Sequence, residues 1–101
     1  MVIRIIDHVR TWSSYADGDI IYKLVATELR DGKSVGVSFF GIKSVPSAFV
    51  NAALIRLLEE FSFQIIRTHL TILDSTRQIN RLVKDRFAFA AAGYKETAPA
   101  N

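Results

Sequence analysis

An α/β fold is predicted by the order in which two kinds of apolar segment alternate along the chain. Short runs rich in β-branched residues alternate with longer segments whose apolar residues recur at helical spacing, in the order β-α-β-α-β-α. Half of the 101 residues are apolar, which suffices for one core. We therefore expect a single domain over residues 1–92, with helices packed on a mixed sheet that has a parallel core joined by right-handed crossovers.

The first strand and first helix are predicted from local signals. Residues 2–6 are short, mainly β-branched and bounded by Asp7, as is typical of a strand. A helix is predicted from Asp17 or Gly18 to Arg30, before the stop signal Asp31-Gly32. Asp17 and Asp19 flank Gly18 at its start, where carboxylates accept hydrogen bonds from free N–H groups. We interpret them as capping residues rather than as paired catalytic acids.

The middle of the chain predicts the central strand and a second helix. Residues 34–40 carry no charge, as expected of a strand covered on both faces. Pro46 fits the first turn of a helix, where its missing N–H costs nothing. An apolar stripe at helical spacing then extends the predicted helix to Phe61. Its members are Val50, Leu54, Leu57, Leu58 and Phe61.

The last third predicts a strand and a terminal helix. Residues 65–73 have the composition of a third strand, best defined at 70–73. Asp74 follows it at a sheet edge where α/β proteins often place ligand groups, and our main interpretation is an N-terminal acid of the next helix. Ser75 and Gln78 have capping-box spacing, so a helix is expected to begin near Ser75 and to end at Gly93. Residues 93–101 are expected to form a flexible tail.

Several function classes lack their sequence signatures. The chain has no cysteine, no phosphate-binding glycine motif, no HExxH and no GxSxG. His8 and His69 are far apart in the chain, and we interpret both as packed or hydrogen-bonded residues. We therefore expect neither an enzyme nor a bound metal or cofactor. No apolar run reaches the ~18 residues of a membrane span, and the charged start differs from a signal peptide, so we expect a cytoplasmic protein.

A basic stripe on the last helix supports an alternative function. The net charge is only +3, so composition alone does not indicate nucleic acid. Asp85 interrupts the stripe, and no aromatic residues are interleaved with it as in single-strand binders. A solvated helix face is our main interpretation, and binding of a nucleic acid or nucleotide is the alternative. The residues concerned are Arg77, Arg81, Lys84 and Arg86.

Ser47 lies at the predicted junction of the turn and the second helix. A hydroxyl there meets free backbone N–H groups and the positive end of the helix dipole, so it can cap the helix or carry a phosphate. If Ser44 is the cap instead, Ser47 lies in the first turn and is freer to react. The residues alone leave both arrangements open.

The segment VSFFGIKSVPSAFVNAALIRLL resembles the STAS domains, and more closely the small STAS-like family of unknown function. Gly41 and Ile42 match the turn that follows a strand in STAS anti-sigma-factor antagonists, and Ser47 takes the position of their phosphorylatable serine. The helix start of the STAS-like family is resembled by Ser47, Ala48, Phe49, Val50, Ala53, Leu54 and Leu57. The likeness extends over about residues 17–90.

The chain departs from the family pattern at three places. Ser38 stands where an acid ends the strand, and Pro46 stands where an aspartate precedes the phosphoserine. Asn51 and Ala52 replace acids in the helix of the STAS-like family. Together these changes reduce the acidic surface that would face a kinase.

The resemblance implies a small STAS-like sandwich that acts as a non-catalytic regulatory module, similar to an anti-sigma-factor antagonist. It implies a protein partner with a histidine-kinase-like ATPase fold and no bound metal. Ser47 is the candidate phosphoacceptor, and an open sheet edge is compatible with self-association. The expected partner-binding residues are Gly41, Ile42, Lys43, Ser44, Pro46, Ser47, Ala48 and Asn51.

Overall fold

The computed structural model describes the backbone of residues 1–100 and the side chains of residues 1–92. Its strands are β1 (Val2–Arg4), β2 (Val35–Ser38) and β3 (Leu70–Leu73). Its α-helices are α1 (Tyr15–Arg30), α2 (Ser47–Ala53), α3 (Phe63–His69) and α4 (Arg77–Ala100). Two 3-10 turns cover Ile5–Asp7 and Ile55–Glu59. The predicted α/β class is confirmed, with one helix more than the sequence predicts.

The sheet has the order β1-β2-β3, which confirms the predicted central strand. Val2 pairs with Gly36, and Val35 pairs with Leu70. Both strand pairs are parallel, so the predicted parallel core is confirmed, and the sheet formed by residues 1–100 contains no antiparallel strand. All four residues of β2 are buried, because Val35 and Val37 lie in the core and the Leu73 side chain lies over Gly36 on the other face.

The core lies between the helices and one face of the sheet. Ile3, Val35 and Val37 point into it, and they pack with buried residues of α1 and α2. The opposite face is partly open, because Val2 and Thr71 are exposed there. The structure is therefore a two-layer sandwich with helices on its buried side.

The predicted long helix after Pro46 is interrupted. It ends at Ala53, and a 3-10 turn follows in which Leu57 N–H donates to Leu54 O at 3.0 Å. Leu54 and Leu57 are both almost fully buried. A spacing of three residues returns to the same face in a 3-10 turn as well as in an α-helix, so the apolar stripe did not distinguish the two.

The predicted strand over residues 65–73 is wrong in its first half. Residues 63–69 form α3, and only Leu70–Leu73 form the strand. The Ser62 hydroxyl accepts a hydrogen bond from Ile65 N–H at 3.2 Å, which caps this helix. The β-branched pair Ile65 and Ile66 favoured a strand, and the cap supplied by Ser62 was missed.

A capping box begins α1 two or three residues earlier than predicted. The Ser14 hydroxyl accepts from Asp17 N–H at 3.1 Å, and the Asp17 carboxylate accepts from Ser14 N–H at 3.3 Å. The hydrogen bond that Asp17 accepts from the Thr11 hydroxyl is the main cause that lowers the pKa of Asp17. The capping role of Asp17 is confirmed, whereas Asp19 binds Arg56 and Lys23 instead.

Thr76 rather than Ser75 caps α4. The Thr76 hydroxyl accepts from Ile79 N–H at 3.2 Å, so the predicted capping box of Ser75 and Gln78 is wrong by one position. The helix continues past Gly93, where its end was predicted. The predicted flexible tail, residues 93–101, lies outside the residues whose side chains are described and stays a prediction.

Gly18 allows α1 and α2 to pack closely. A Cβ atom built on Gly18 would lie 2.7 Å from Ala52 Cβ and 2.7 Å from the Phe49 carbonyl oxygen. It would also lie 3.1 Å from the backbone nitrogen of Ala53. Backbone atoms cannot rotate away, so this crossing requires a residue without a side chain at position 18.

Two ion pairs link α1 to the chain that follows α2. Arg56 binds Asp19 and lies 4.2 Å from the centre of the Tyr22 ring. Arg30 binds Glu60 through two nitrogen atoms, one of them 2.7 Å from Oε1. The guanidinium groups of Arg56 and Arg30 hold the pKa values of Asp19 and Glu60 below their usual range.

These pairs predict a loss of stability in acid. A carboxyl group whose pKa is lowered by folding stabilises the protein when it is ionised, and this stabilisation is lost as the pH falls below about 4. We expect Glu60→Gln to weaken the fold at pH 7 and to flatten the fall in the urea midpoint between pH 5 and pH 2.5. Glu59→Gln is the matched control, since Glu59 is exposed and forms no ion pair within residues 1–92. Equal pH profiles for the two variants would contradict the assignment.

Candidate functional site

The candidate site lies at the carboxyl ends of β2 and β3. Ser38 ends β2 and pairs with Leu73, which ends β3. The Phe39 N–H donates to the Leu73 carbonyl at 2.9 Å, so the two chains leave the sheet side by side. In parallel sheets this edge is where loops and helix starts gather, and ligands and partners are often bound there.

Ser38 and Asp74 are joined at this edge. The Ser38 hydroxyl is only 1% exposed, and it donates to the Asp74 carboxylate at 2.7 Å. It also accepts from Phe40 N–H at 3.2 Å. Asp74 has a φ of +52°, a conformation that aspartate adopts more readily than most residues. Asp74 is thus a partner of Ser38, and its predicted role as an acid at the start of the last helix is wrong.

The loop after β2 is held at both ends and exposed between them. Gly41 has a φ of +81°, which a turn requires here, and Ile42 N–H donates to Phe39 O at 2.9 Å. The buried side chains of Ile42 and Val45 fasten the loop to the core. We define residues 41–48 as the loop surface, which Ile42 and Val45 anchor to the core. Its exposed residues are Gly41, Lys43, Ser44, Pro46, Ser47 and Ala48.

A second hydrogen bond connects this loop to the start of α4. The Thr76 hydroxyl donates to the Lys43 carbonyl at 2.9 Å while it caps its own helix. Together with the bond between Ser38 and Asp74, it links residues 74–76 to both ends of the segment between Ser38 and Lys43. The loop surface and the junction of β3 with α4 thus form one connected region.

Ser47 is the first residue of α2, and its side chain is exposed. Pro46 occupies the N-cap position, and no side chain caps the helix there. Neither of the arrangements considered from the sequence, with Ser47 or Ser44 as the cap, is therefore observed. Pro46 also lies one position before the first turn where it was predicted. The Ser47 hydroxyl is accessible for modification.

Asn51 faces a different direction from the rest of the predicted partner surface. It is half-buried, and its Oδ1 atom accepts from Arg86 Nε at 3.2 Å. Asn51 therefore connects α2 to α4. The structure brings the other predicted partner residues together on the loop surface, with Ile42 buried as its anchor.

The predicted basic stripe is divided by this contact. Arg86 is half-buried, binds Asn51 and lies 4.9 Å from the centre of the Phe89 ring. Arg77 and Arg81 are exposed and line a shallow depression with Gln78. Lys84 lines a separate apolar groove. Of the four predicted basic residues, the structure thus brings only Arg77 and Arg81 together in one depression.

The histidines and carboxylates of residues 1–92 form no cluster of three or more that could hold a metal. His8 is exposed at the end of a 3-10 turn. His69 lies with its Nδ1 atom 3.3 Å from the Ser34 hydroxyl. Of the helices formed by residues 1–100, none is both long and apolar enough to cross a membrane.

Comparison with protein families matches residues 17–80 to the family described as the STAS-like domain of unknown function. The chain belongs to this STAS-like family. The matched segment runs from the first turn of α1 to the first turn of α4 and includes the whole candidate site. No significant match was found among curated proteins or solved structures.

The contact between Ser38 and Asp74 joins the ends of two neighbouring strands. Asp74, which follows β3, places its carboxylate on the Ser38 hydroxyl. A carboxylate is therefore present beside the end of β2 although β2 itself ends in a serine, which the sequence of the β2 segment did not reveal.

Proposed function

We propose that this STAS-like domain is a non-catalytic regulatory module that binds another protein through the loop surface, residues 41–48. The observation that carries the proposal is an exposed loop held in one shape by buried anchors and by the Thr76 hydroxyl. A preordered loop loses little conformational entropy when a partner binds. It is therefore suited to protein recognition.

Phosphorylation of Ser47 is the proposed control of this binding. Its hydroxyl is exposed in the middle of the loop surface, and its position matches the phosphoacceptor of STAS anti-sigma-factor antagonists. A phosphate would add nearly two negative charges at the place where a partner would lie. The proposed partner is a cytoplasmic ATPase with a histidine-kinase-like fold. It would bind the loop surface and also phosphorylate Ser47.

The experiment uses the full chain and a histidine-kinase-like ATPase encoded in the same genome. We expect phosphate to be found by mass spectrometry on Ser47 after incubation with ATP, and not in the Ser47→Ala variant. We also expect Ser47→Asp to weaken binding at least tenfold. Ser44→Ala is the matched control for modification, because Ser44 is also exposed on the loop surface and this variant should still be phosphorylated on Ser47.

A second pair of variants tests the binding surface itself. Lys43→Glu should reduce binding to the ATPase, whereas Lys33→Glu should not, since both lysines are exposed and Lys33 lies beyond the opposite end of β2. Unmodified Ser47 and full binding by Ser47→Asp would disprove the switch and spare the surface. Full binding by Lys43→Glu would disprove the surface.

The alternative, nucleic-acid or nucleotide binding by α4, has weaker support. Arg86 binds Asn51 and Lys84 lies in an apolar groove, so Arg77 and Arg81 are the two predicted residues that share an exposed basic depression. Few phosphate contacts would be available to such a surface. The alternative therefore stays a prediction.

A further inference from the structure

An apolar groove between α3, β3 and α4 is separate from the loop surface. Its cavity volume is about 440 Å³. Ile66, Val83 and Phe87 are at most 7% exposed and form a fixed floor. Phe63 is 39% exposed at the rim, with its ring 5.9 Å from the ring of Phe87. The volume and the mainly apolar lining are those of small-molecule sites, which usually measure ~300 to 1,000 Å³.

The charged side chains that line this groove are both basic. Arg67 comes from α3 and Lys84 from α4, and both side chains are exposed. The Arg67 guanidinium lies 5.9 Å from the centre of the Phe63 ring, at the rim. Within residues 1–92 neither cation forms an ion pair, and no carboxylate lines the groove. A bound molecule would therefore meet apolar walls and uncompensated positive charge.

We propose that the groove binds a small amphiphilic carboxylate of the fatty-acid class. The alkyl chain lies against the floor formed by Ile66, Val83 and Phe87. The carboxylate lies at the rim near Arg67 and Lys84, where charge-assisted hydrogen bonds are stronger than neutral ones. The apolar walls supply affinity, and the two cations select an anionic head group over a neutral or cationic one.

The test compares three probes that share a ten-carbon chain: decanoate, decanol and decyltrimethylammonium. Each is titrated below its micelle concentration into the full chain and measured by calorimetry. We expect decanoate to bind at least tenfold more tightly than decyltrimethylammonium. The double variant Arg67→Glu with Lys84→Glu should lose this preference. Arg77→Glu with Arg81→Glu is the matched control, because it makes the same charge change outside the groove.

A second variant tests the location without a change of charge. Ala88 lines the groove at an exposed position, so Ala88→Trp should fill the space while leaving the core intact. We expect it to abolish decanoate binding, with an unchanged circular dichroism spectrum. Equal affinities for the three probes, or full decanoate binding by Ala88→Trp, would overturn the proposal. A dimer that Ala88→Trp dissociates, with no decanoate binding, would assign the groove to a second copy of the chain and would also overturn it.

Discussion

Gly18→Ala is expected to destabilise the protein by about 1 to 3 kcal/mol. In an ordinary helix the same change would be stabilising by up to about 1 kcal/mol, because alanine has the higher helix propensity. Here the new methyl group would lie 2.7 Å from both Ala52 Cβ and the Phe49 carbonyl oxygen. The sign of the effect therefore reports whether α1 and α2 touch at this point.

The matched control is Gly36→Ala in β2. A Cβ atom there would lie 2.7 Å from Leu73 Cδ1, the far end of a half-buried side chain that can rotate. We expect a smaller loss of stability for Gly36→Ala than for Gly18→Ala in urea unfolding monitored by circular dichroism. A Gly18→Ala variant as stable as the original chain, or more stable, would contradict the close helix contact.

Ser38→Asp is expected to cost about 3 kcal/mol at pH 7. The side chain at position 38 is buried, and its hydroxyl lies 2.7 Å from the Asp74 carboxylate. A second carboxylate there would be buried beside a like charge, which raises the pKa of the introduced aspartate at position 38. Because the folded state would then bind a proton at position 38 more tightly than the unfolded chain does, the loss should become smaller as the pH falls toward 5.

The exchanged double variant, Ser38→Asp with Asp74→Ser, separates repulsion from poor fit. It keeps one carboxylate and one hydroxyl at the strand ends, so we expect it to be more stable than Ser38→Asp alone. A double-mutant cycle of unfolding free energies, completed by Asp74→Ser, measures the coupling between the positions. A coupling energy near zero would show that Ser38 and Asp74 act independently.

The elements of this fold differ in how well the sequence predicts them. The central strand was predicted from an uncharged, largely apolar segment, and all four of its residues are buried. The helices cover one face of β2, and the Leu73 side chain lies over Gly36 on the other face. The strand predicted over residues 65–73 failed in its first half because Ile65 and Ile66 have high β propensity. The Ser62 cap and the packing of Ile66 into the core stabilise a helix there instead. Tertiary contacts such as those of Ile66 cannot be inferred from local composition.

The candidate site was predicted in part. Residues 41–48 were identified because a turn and a helix start follow the central strand, and a serine there is easily recognised. The role of Asn51 was missed because its partner, Arg86, lies far away in sequence. The same holds for Asp74, whose contact with Ser38 depends on two strands being neighbours in the sheet. Local sequence patterns can therefore predict where a surface lies. Contacts between residues that are distant in sequence can be identified only once the fold is known.

The parallel sheet described above also has a consequence for the order of events during folding. Val2 pairs with Gly36 and Val35 with Leu70, so each strand pair must close a long loop before its hydrogen bonds form. Neither pair can begin as a hairpin. The contact between α1 and α2, which joins Gly18 to Ala52, closes a loop of similar length. We therefore expect the chain to fold more slowly than a helical bundle of its size. Until β2 docks, β1 and β3 have no strand partner, so a chaperone would meet a chain whose three strand segments are still unpaired.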